Sequence, residues 1–319
     1  MSAILSGGAG SEVPFTYTIE RADGRTFTYN YGSSSLNTVY ESASTSKLVT
    51  STIILRLVEQ GALSLSDKPQ THIPSWPLGS GDSLYNMTLS HLLSFRSGMT
   101  DELFCLHSGV ADFETCTKNM AANNAGNGNI PGNLFYYSGV HMQVAGLMAQ
   151  YASSAASWQD IFGQFKTATG LFTNATYDLP SATNPRLGGG MRWTATEYMN
   201  FLRALKNGTL LNTSSMNELL KDHTASSQIV YSPPKTDLNE EWHYGLGIWH
   251  ECQNSTYNCN SSTGRVSSPG AYGSYPFWDR TKNYFGIVAR QGASGTYPKG
   301  IQIERSVRSK AELWATCAQ

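Results

Sequence analysis

The segment between Thr45 and Gly61 constrains the fold more than any other part of the chain. Its apolar side chains occupy nearly every face of a helix rather than a single stripe, and Gly61 marks the point where that helix stops. A helix that is apolar on most sides has to be buried. A chain of 319 residues can supply the core that covers it, as one large domain or two interleaved ones.

Both ends of the chain carry strand patterns. Near the start, Val13–Glu20 and Arg25–Tyr31 alternate aromatic and β-branched residues on either side of an Asp-Gly pair at Asp23, which predicts a β-hairpin with a type I′ turn. Near the other end, Gly270–Asp279 and Asn283–Arg290 have the composition of paired strands. We therefore expect one antiparallel sheet that draws strands from both ends.

The middle of the chain differs in character from the ends. Residues 62–190 are rich in loops and poor in strand patterns, with short helical stretches at Leu89–Phe95 and Met142–Tyr151. Two further helices are predicted beyond this region, at Thr196–Asn207 and Ile301–Thr316.

The predicted fold class follows from this order of elements. It is α/β in the α+β sense, an antiparallel sheet flanked by helices with an inserted, mostly helical domain. Residues 1–61 and 191–319 would form the sheet domain and residues 62–190 the insertion. An active site is expected at the interface of the two.

Charge and apolar patterning exclude several classes of function. The chain has 22 Lys and Arg against 23 Asp and Glu, for a net charge of −1, and its basic residues are scattered. A nucleic-acid-binding protein would present a basic face, so no nucleic acid is expected as a partner. No apolar run reaches the roughly 18 residues that cross a bilayer, and residues 1–10 lack the pattern of a signal peptide. We expect neither membrane association nor an obligate protein partner.

Cysteine usage and the low charged fraction of 14% both indicate a secreted or periplasmic protein. Two short-range pairs, Cys105 with Cys116 and Cys252 with Cys259, are interpreted as loop-closing disulfides, with buried free thiols as the alternative, while Cys317 stands alone. Neither these spacings nor the seven histidines match a zinc site, so we assign no metal and no cofactor. The Asn-x-Ser/Thr sequons, which are candidate glycan acceptors, are at Asn86, Asn174, Asn207, Asn212, Asn254 and Asn260.

A candidate nucleophile lies at the start of the buried helix. Ser44 and Lys47 form a Ser-x-x-Lys motif, in which residues i and i+3 share one helix face and can meet. Unpaired N–H groups at a helix start favour an oxyanion beside the serine, and burial would favour the neutral amine that can act as a base. The alternative is an N-cap serine with a lysine that extends to solvent. A second copy, at Ser232 and Lys235, encloses two prolines and is interpreted as a surface loop.

The wider sequence resembles the superfamily of serine β-lactamases and penicillin-binding proteins, in particular its branch of class C β-lactamases, D-aminopeptidases and family VIII carboxylesterases. Ser-x-x-Lys is a signature of that superfamily. Further segments similar to family landmarks follow in the family's order. They are Leu92–Met99, Pro131–Gly139, Gly188–Glu197, Tyr244–Gly247 and Ser268–Ala271.

This resemblance implies a β-lactamase/transpeptidase-like fold and a catalytic trio. Ser44 would be the nucleophile, Lys47 its base, and Tyr137 the residue aligned with the family's catalytic tyrosine. The backbone N–H groups of Ser44 and Ala271 would hold the oxyanion. Gly139 stands where relatives have an asparagine that holds acylamido substrates.

The third family motif also departs from the family's pattern. Relatives carry a lysine or histidine there, which supports binding of a substrate carboxylate, whereas this chain has Ser268, Gly270 and Ala271. We assign Gly139, Ser268, Gly270 and His141 to substrate binding. His141 lies one helical turn after Tyr137, and a partly exposed structural histidine is the alternative.

The resulting functional prediction is a carboxylesterase-like serine hydrolase that forms an acyl-enzyme on Ser44 and acts on neutral or bulky esters. Its partner would be a small-molecule or oligomeric ester or amide substrate. Two alternatives stay open. One is a D-amino-acid peptidase, DD-peptidase or β-lactamase, and the other is a secreted binding protein that has lost catalysis.

Overall fold

The computed structural model describes residues 1–317 and contains an antiparallel sheet of seven strands. Three smaller sheets have the strand orders β3-β8-β5, β4-β9 and β6-β7. The strands are β1 Phe15–Arg21, β2 Thr26–Tyr31, β3 Val39–Glu41, β4 Leu134–Tyr136, β5 Thr176–Tyr177, β6 Pro180–Ser181, β7 Asn184–Pro185, β8 Met191–Thr194, β9 Gln228–Tyr231, β10 His243–Tyr244, β11 Trp249–His250, β12 Arg265–Ser267, β13 Tyr275–Asp279 and β14 Tyr284–Arg290.

The large sheet joins the two ends of the chain, as the sequence predicts. Its order is β10-β11-β12-β13-β14-β1-β2, with every pairing antiparallel. Strand β1 lies between its hairpin partner β2 and β14, with Phe15 opposite Arg290. The mixed α/β architecture with an antiparallel sheet is therefore confirmed.

Two strand predictions need correction in detail. The β1–β2 hairpin does not close with a type I′ turn, because that turn requires a positive φ at both central residues and here Gly24 alone, at φ 84°, has one. The Gly24 N–H donates to the carbonyl of Arg21 instead. The predicted strand from Gly270 begins only at Tyr275, since the preceding residues form a turn in which the Gly270 N–H donates to Ser274.

Helices cover the large sheet and fill the space beside it. Strands β1 and β14 are buried along their whole length, which requires cover on both faces. The helices α8 and α10 both pack against β14. The helices are α1 Ser2–Leu5, α2 Ser46–Glu59, α3 Pro69–His72, α4 Leu89–Leu93, α5 Phe113–Asn123, α6 Val140–Ala152, α7 Trp158–Thr169, α8 Ala195–Lys206, α9 Thr213–Leu220 and α10 Tyr297–Thr316.

The central helix predicted from Thr45 to Gly61 is α2. Eleven of its side chains are buried, and it packs against α6 and α9. Its last turn ends at Gln60, and Gly61 follows with a φ of 77° that suits glycine. The buried helix that the apolar pattern predicts is therefore confirmed.

Both predicted disulfides are present, Cys105–Cys116 and Cys252–Cys259. No helix within residues 1–317 combines the length and the apolar character needed to cross a membrane. The division into a sheet domain of 1–61 and 191–319 and an insertion of 62–190 stays a prediction.

Candidate active site

Ser44 lies on a tight turn that leads directly into α2. Residues Ala43–Thr45 form one 3-10 turn, and Ala43 has a φ of 45°, a conformation that a residue with a side chain rarely adopts. Ser42 fixes this turn, because its hydroxyl lies 2.6 Å from the Thr45 hydroxyl and 2.8 Å from that of Ser46. Ser44 is more exposed than either chain neighbour, so its hydroxyl faces open space while the turn around it is held rigid.

Lys47 is placed to accept a proton from Ser44. Its Nζ lies 2.8 Å from Ser44 Oγ and 2.7 Å from the carbonyl oxygen of Gly188, and the residue is only 4% exposed. Burial lowers the pKa of Lys47 to about 7, since a buried ammonium loses its hydration; the charge of Glu102 opposes this shift and that of Arg186 adds to it. Near neutral pH a large fraction of the amine is therefore neutral and able to act as a base.

Tyr137 lies over the lysine at the end of β4. The Nζ of Lys47 is 4.8 Å from the centre of the tyrosine ring, which also stacks on Trp249 at 5.1 Å. Burial raises the pKa of Tyr137, while hydrogen bonding with Ser44 and Trp249 partly opposes this rise. The phenol therefore keeps its proton at neutral pH, which suits a proton donor rather than a base.

Two backbone N–H groups are free to stabilise an oxyanion. Within residues 1–317, neither Ser44 N–H nor Ala271 N–H is bonded to an acceptor, and both residues line one cavity. The turn holding Ala271 approaches the nucleophile closely, since the Ser268 hydroxyl donates to the Ser44 carbonyl at 3.2 Å. A Cβ at Gly270 would lie 2.4 Å from the carbonyl oxygen of Ser42, so only glycine fits there.

These groups open onto a cavity of about 860 Å³, a volume that accommodates a small-molecule substrate. Five of the predicted residues line it, and its walls differ in charge. Its lining includes Asp101, Glu102, His107 and Arg186, which we call the charged wall, and also Asp237, which interacts with Tyr297. The predicted residues on the cavity surface are Ser44, Lys47, Tyr137, Gly139 and Ala271, and the wall at Ala271 consists of Ala271, Tyr272, Ser294, Gly295 and Tyr297.

Three residues assigned to substrate binding do not line the cavity. Ser268 and Gly270 lie behind its wall, where they support Ala271. His141 is fully buried, with Nδ1 at 2.9 Å from the Ser97 hydroxyl and Nε2 at 2.9 Å from the Tyr136 carbonyl oxygen. Burial lowers its pKa to about 3, so His141 is a neutral core residue and its assignment to substrate binding is wrong.

Glu102 occupies the space that the missing side chain at Gly139 leaves open. Its carboxylate accepts hydrogen bonds from the Gly139 N–H and, at 3.0 Å, from the Ser138 hydroxyl. A Cβ on Gly139 would lie 3.0 Å from the same carboxylate oxygen. A negative charge therefore stands at the start of α6, where the helix dipole favours it.

Comparison with known proteins decides the family. A family model described as Beta-lactamase matches residues 11–299, which is most of the chain. The chain belongs to the β-lactamase family. Protein flp of Staphylococcus aureus is 27% identical over 120 residues, a match that covers 35% of this chain and only 23% of that protein.

Solved structures share this fold over nearly their whole length. A protein of Bacteroides dorei DSM 17855 is 22% identical with a TM-score of 0.78, and the match covers 96% of both chains. EstCE1, a hydrolase with promiscuous acyltransferase activity, is 17% identical with a TM-score of 0.72, covering 95% of this chain and 96% of that one. A D-stereospecific amidohydrolase from Streptomyces sp. is 19% identical with a TM-score of 0.69 and the same coverage. These likenesses show the serine hydrolase fold of the β-lactamase family.

Sequence reasoning missed the charged wall of the cavity. Glu102 lies in a loop with no motif of its own, so no local pattern marks it. Arg186 comes two residues before Gly188, the first glycine of a family landmark, and that proximity was a usable signal.

Proposed function

We propose that this chain is a serine hydrolase that forms an acyl-enzyme on Ser44 and acts on esters. The observation that carries the proposal is the contact of 2.8 Å between Lys47 Nζ and Ser44 Oγ at the surface of the cavity. A lysine whose pKa is lowered to about 7 can take the serine proton without a histidine, which activates the hydroxyl as a nucleophile.

The proposed reaction begins when Lys47 removes the proton of Ser44 and Oγ bonds to the substrate carbonyl carbon. The carbonyl oxygen becomes an oxyanion between the N–H groups of Ser44 and Ala271. As the bond to the leaving oxygen breaks, Tyr137 gives that oxygen its proton and regains one from Lys47. Water then attacks the acyl-enzyme by the same steps, which releases the acid and restores Ser44.

Two features favour esters over the amide substrates of other family members. The wall at Ala271 carries no cation, so it offers no charged contact to the carboxylate of a β-lactam or a D-Ala-D-Ala peptide. Beside Gly139, the carboxylate of Glu102 replaces the side-chain amide that holds acylamido groups in relatives. Both features favour esters that are neutral or bulky where they meet the wall at Ala271.

The proposal extends to location. Two disulfides are compatible with an extracellular or periplasmic protein, because such bonds persist in oxidising compartments. If the protein passes through a eukaryotic secretory pathway, we propose that its Asn-x-Ser/Thr sequons carry glycans.

The test compares three chromogenic substrates on the purified chain: 4-nitrophenyl butyrate, a D-alanyl 4-nitroanilide and a chromogenic cephalosporin. We expect the ester to be cleaved with the highest kcat/KM, and mass spectrometry of the quenched reaction to find the butyryl group on Ser44. Faster turnover of the anilide or the cephalosporin would favour the peptidase or β-lactamase alternative. Acylation of another serine would overturn the mechanism, and absence of turnover on all three would favour a protein that has lost catalysis.

A further inference from the structure

The guanidinium of Arg186 is the unpaired cation of the cavity's charged wall. Its one hydrogen bond within residues 1–317 joins Nη1 to Nδ1 of His107 at 3.2 Å, and no carboxylate in that range forms an ion pair with it. Nε is buried without a partner, whereas Nη2 is unbonded and accessible. An arginine that faces a cavity with free donors is poised to bind an anion.

The backbone of Arg186 is fixed beside the catalytic pair. Its N–H donates to the Leu179 carbonyl at 2.8 Å, and its own carbonyl accepts from Gly189 at 3.0 Å and from Gly190 at 2.6 Å. Two residues further on, the Gly188 carbonyl holds Lys47. Since two residues span at most about 7 Å, the arginine is rooted within reach of a substrate bound at Ser44.

The neighbouring acids do not neutralise this cation directly. Glu102 is bonded to Ser138 and Gly139, and it reaches Arg186 only through His107, whose Nε2 lies 3.8 Å from its carboxylate. With Nδ1 accepting from the arginine, His107 positions the guanidinium and does not occupy its outer donors. Asp101 and Asp237 line the same cavity, yet neither makes an ion pair with Arg186 within residues 1–317.

We propose that Arg186 binds a carboxylate carried by the substrate, so that the preferred esters have a free carboxylate at the end that meets Arg186. The planar fork of a guanidinium matches the two oxygens of a carboxylate. The substrate class would then be hemi-esters of dicarboxylic acids or similar acids with one esterified end. This inference rests on the proposed ester hydrolysis at Ser44 and adds a second, charged anchor to it.

The test uses two esters with the same 4-nitrophenyl leaving group, mono-4-nitrophenyl adipate and its methyl ester, of which only the first is charged. Release of 4-nitrophenolate is measured for each and corrected for spontaneous hydrolysis. We expect the chain to favour the free acid in kcat/KM by about 10- to 100-fold, as a charged hydrogen bond provides. In Arg186→Gln this ratio should fall to 1 or below, mainly through a higher KM for the acid. Lys310→Gln removes the same charge from an exposed position on α10 and should leave the ratio unchanged.

The outcomes separate the two proposals. Equal cleavage of both esters by the unmodified chain, or an unchanged ratio in Arg186→Gln, overturns the carboxylate site while ester hydrolysis stands. If neither ester is cleaved, or if Ser44→Ala cleaves both at the original rate, the proposed function fails first and the carboxylate site fails with it. Should Arg186→Gln not fold, Arg186→Lys keeps the charge but loses the planar fork, and the ratio should then fall to an intermediate value.

Discussion

The chain contains the same four-residue motif twice, and the two copies have opposite surroundings. In the first, Lys47 is buried, makes no ion pair within residues 1–317, and points its amine at Ser44. In the second, Lys235 pairs with the carboxylate of Glu241 at 2.6 Å, while the Ser232 hydroxyl is buried and unbonded. Only the first copy brings its hydroxyl and amine together.

The difference shows that the helix start, rather than the spacing, creates the chemistry. The first copy is a 3-10 turn that runs into α2, so residues three apart share a face. The second encloses Pro233 and continues into a single π-helical turn over Pro234–Leu238, where the lysine extends toward a carboxylate instead. Burial without a paired carboxylate lowers the pKa of Lys47 to about 7, which suits a base.

The largest expected difference between the two copies appears when the serine of each is replaced by alanine. Ser44→Ala should lower kcat for 4-nitrophenyl butyrate by at least about 10⁴-fold, because it removes the proposed nucleophile. Ser232→Ala deletes a hydroxyl that has no partner and should leave kcat within about twofold. Initial rates for the three proteins side by side decide this, and equal rates in all of them would remove the distinction between the two copies.

Exchanging the two lysines for methionine should have the next largest effect. Lys47→Met keeps the packing volume but removes the proposed base, so kcat should fall by about 10³-fold, in the usual range for general base catalysis. Lys235→Met breaks an ion pair whose lysine is 40% exposed, which costs at most about 1 kcal/mol of unfolding free energy and no activity. A loss of activity in Lys235→Met that matched the loss in Lys47→Met would contradict the assignment.

Tyr137→Phe tests a further difference between the two copies. A tyrosine ring lies over Lys47 in the first copy. If the phenol protonates the leaving group, its loss should lower kcat for an ethyl ester by about 10²-fold. A 4-nitrophenyl ester should lose much less, since nitrophenolate leaves without a proton. Equal losses on both esters would show that Tyr137 acts by packing, and the measurement is the ratio of the two rates in each protein.

The sequence predicted the fold well where the signal was local. The apolar segment of α2 and the alternation of β1 and β2 depend on residues close together in the chain, and both elements are present. The predicted type I′ turn between those strands was wrong. An Asp-Gly pair is compatible with more than one hairpin geometry, and here only Gly24 has a positive φ.

The site was predictable only as far as the family pattern reaches. That pattern placed Ser44, Lys47 and Tyr137, and the structure brings them together around one cavity. It could not place His141, since whether a residue one turn past the tyrosine faces the cavity or the core depends on Phe95, which stacks on the histidine from a distant segment. Arg186 was missed for the same reason, because its role depends on neighbours far away in the chain.

The smallest predicted effect is the dependence of activity on pH. In the proposed mechanism Lys47 is the base and must be neutral to act, and burial lowers its pKa to about 7. The kcat/KM of a neutral ester should therefore fall about tenfold for each pH unit below 7 and level off above it. An acid limb centred near the ordinary lysine value of 10.5 would show that the amine is not buried as the structure has it.

Two variants should move that limb in opposite directions. Glu102→Gln removes a negative charge that raises the pKa of Lys47, so the limb should shift to lower pH. Arg186→Gln removes a positive charge that lowers it, so the limb should shift to higher pH. Lys235→Met should leave the limb in place, because the second motif has no connection to the base. Shifts of the same sign in the first two variants would mean that they act through structure and not through charge.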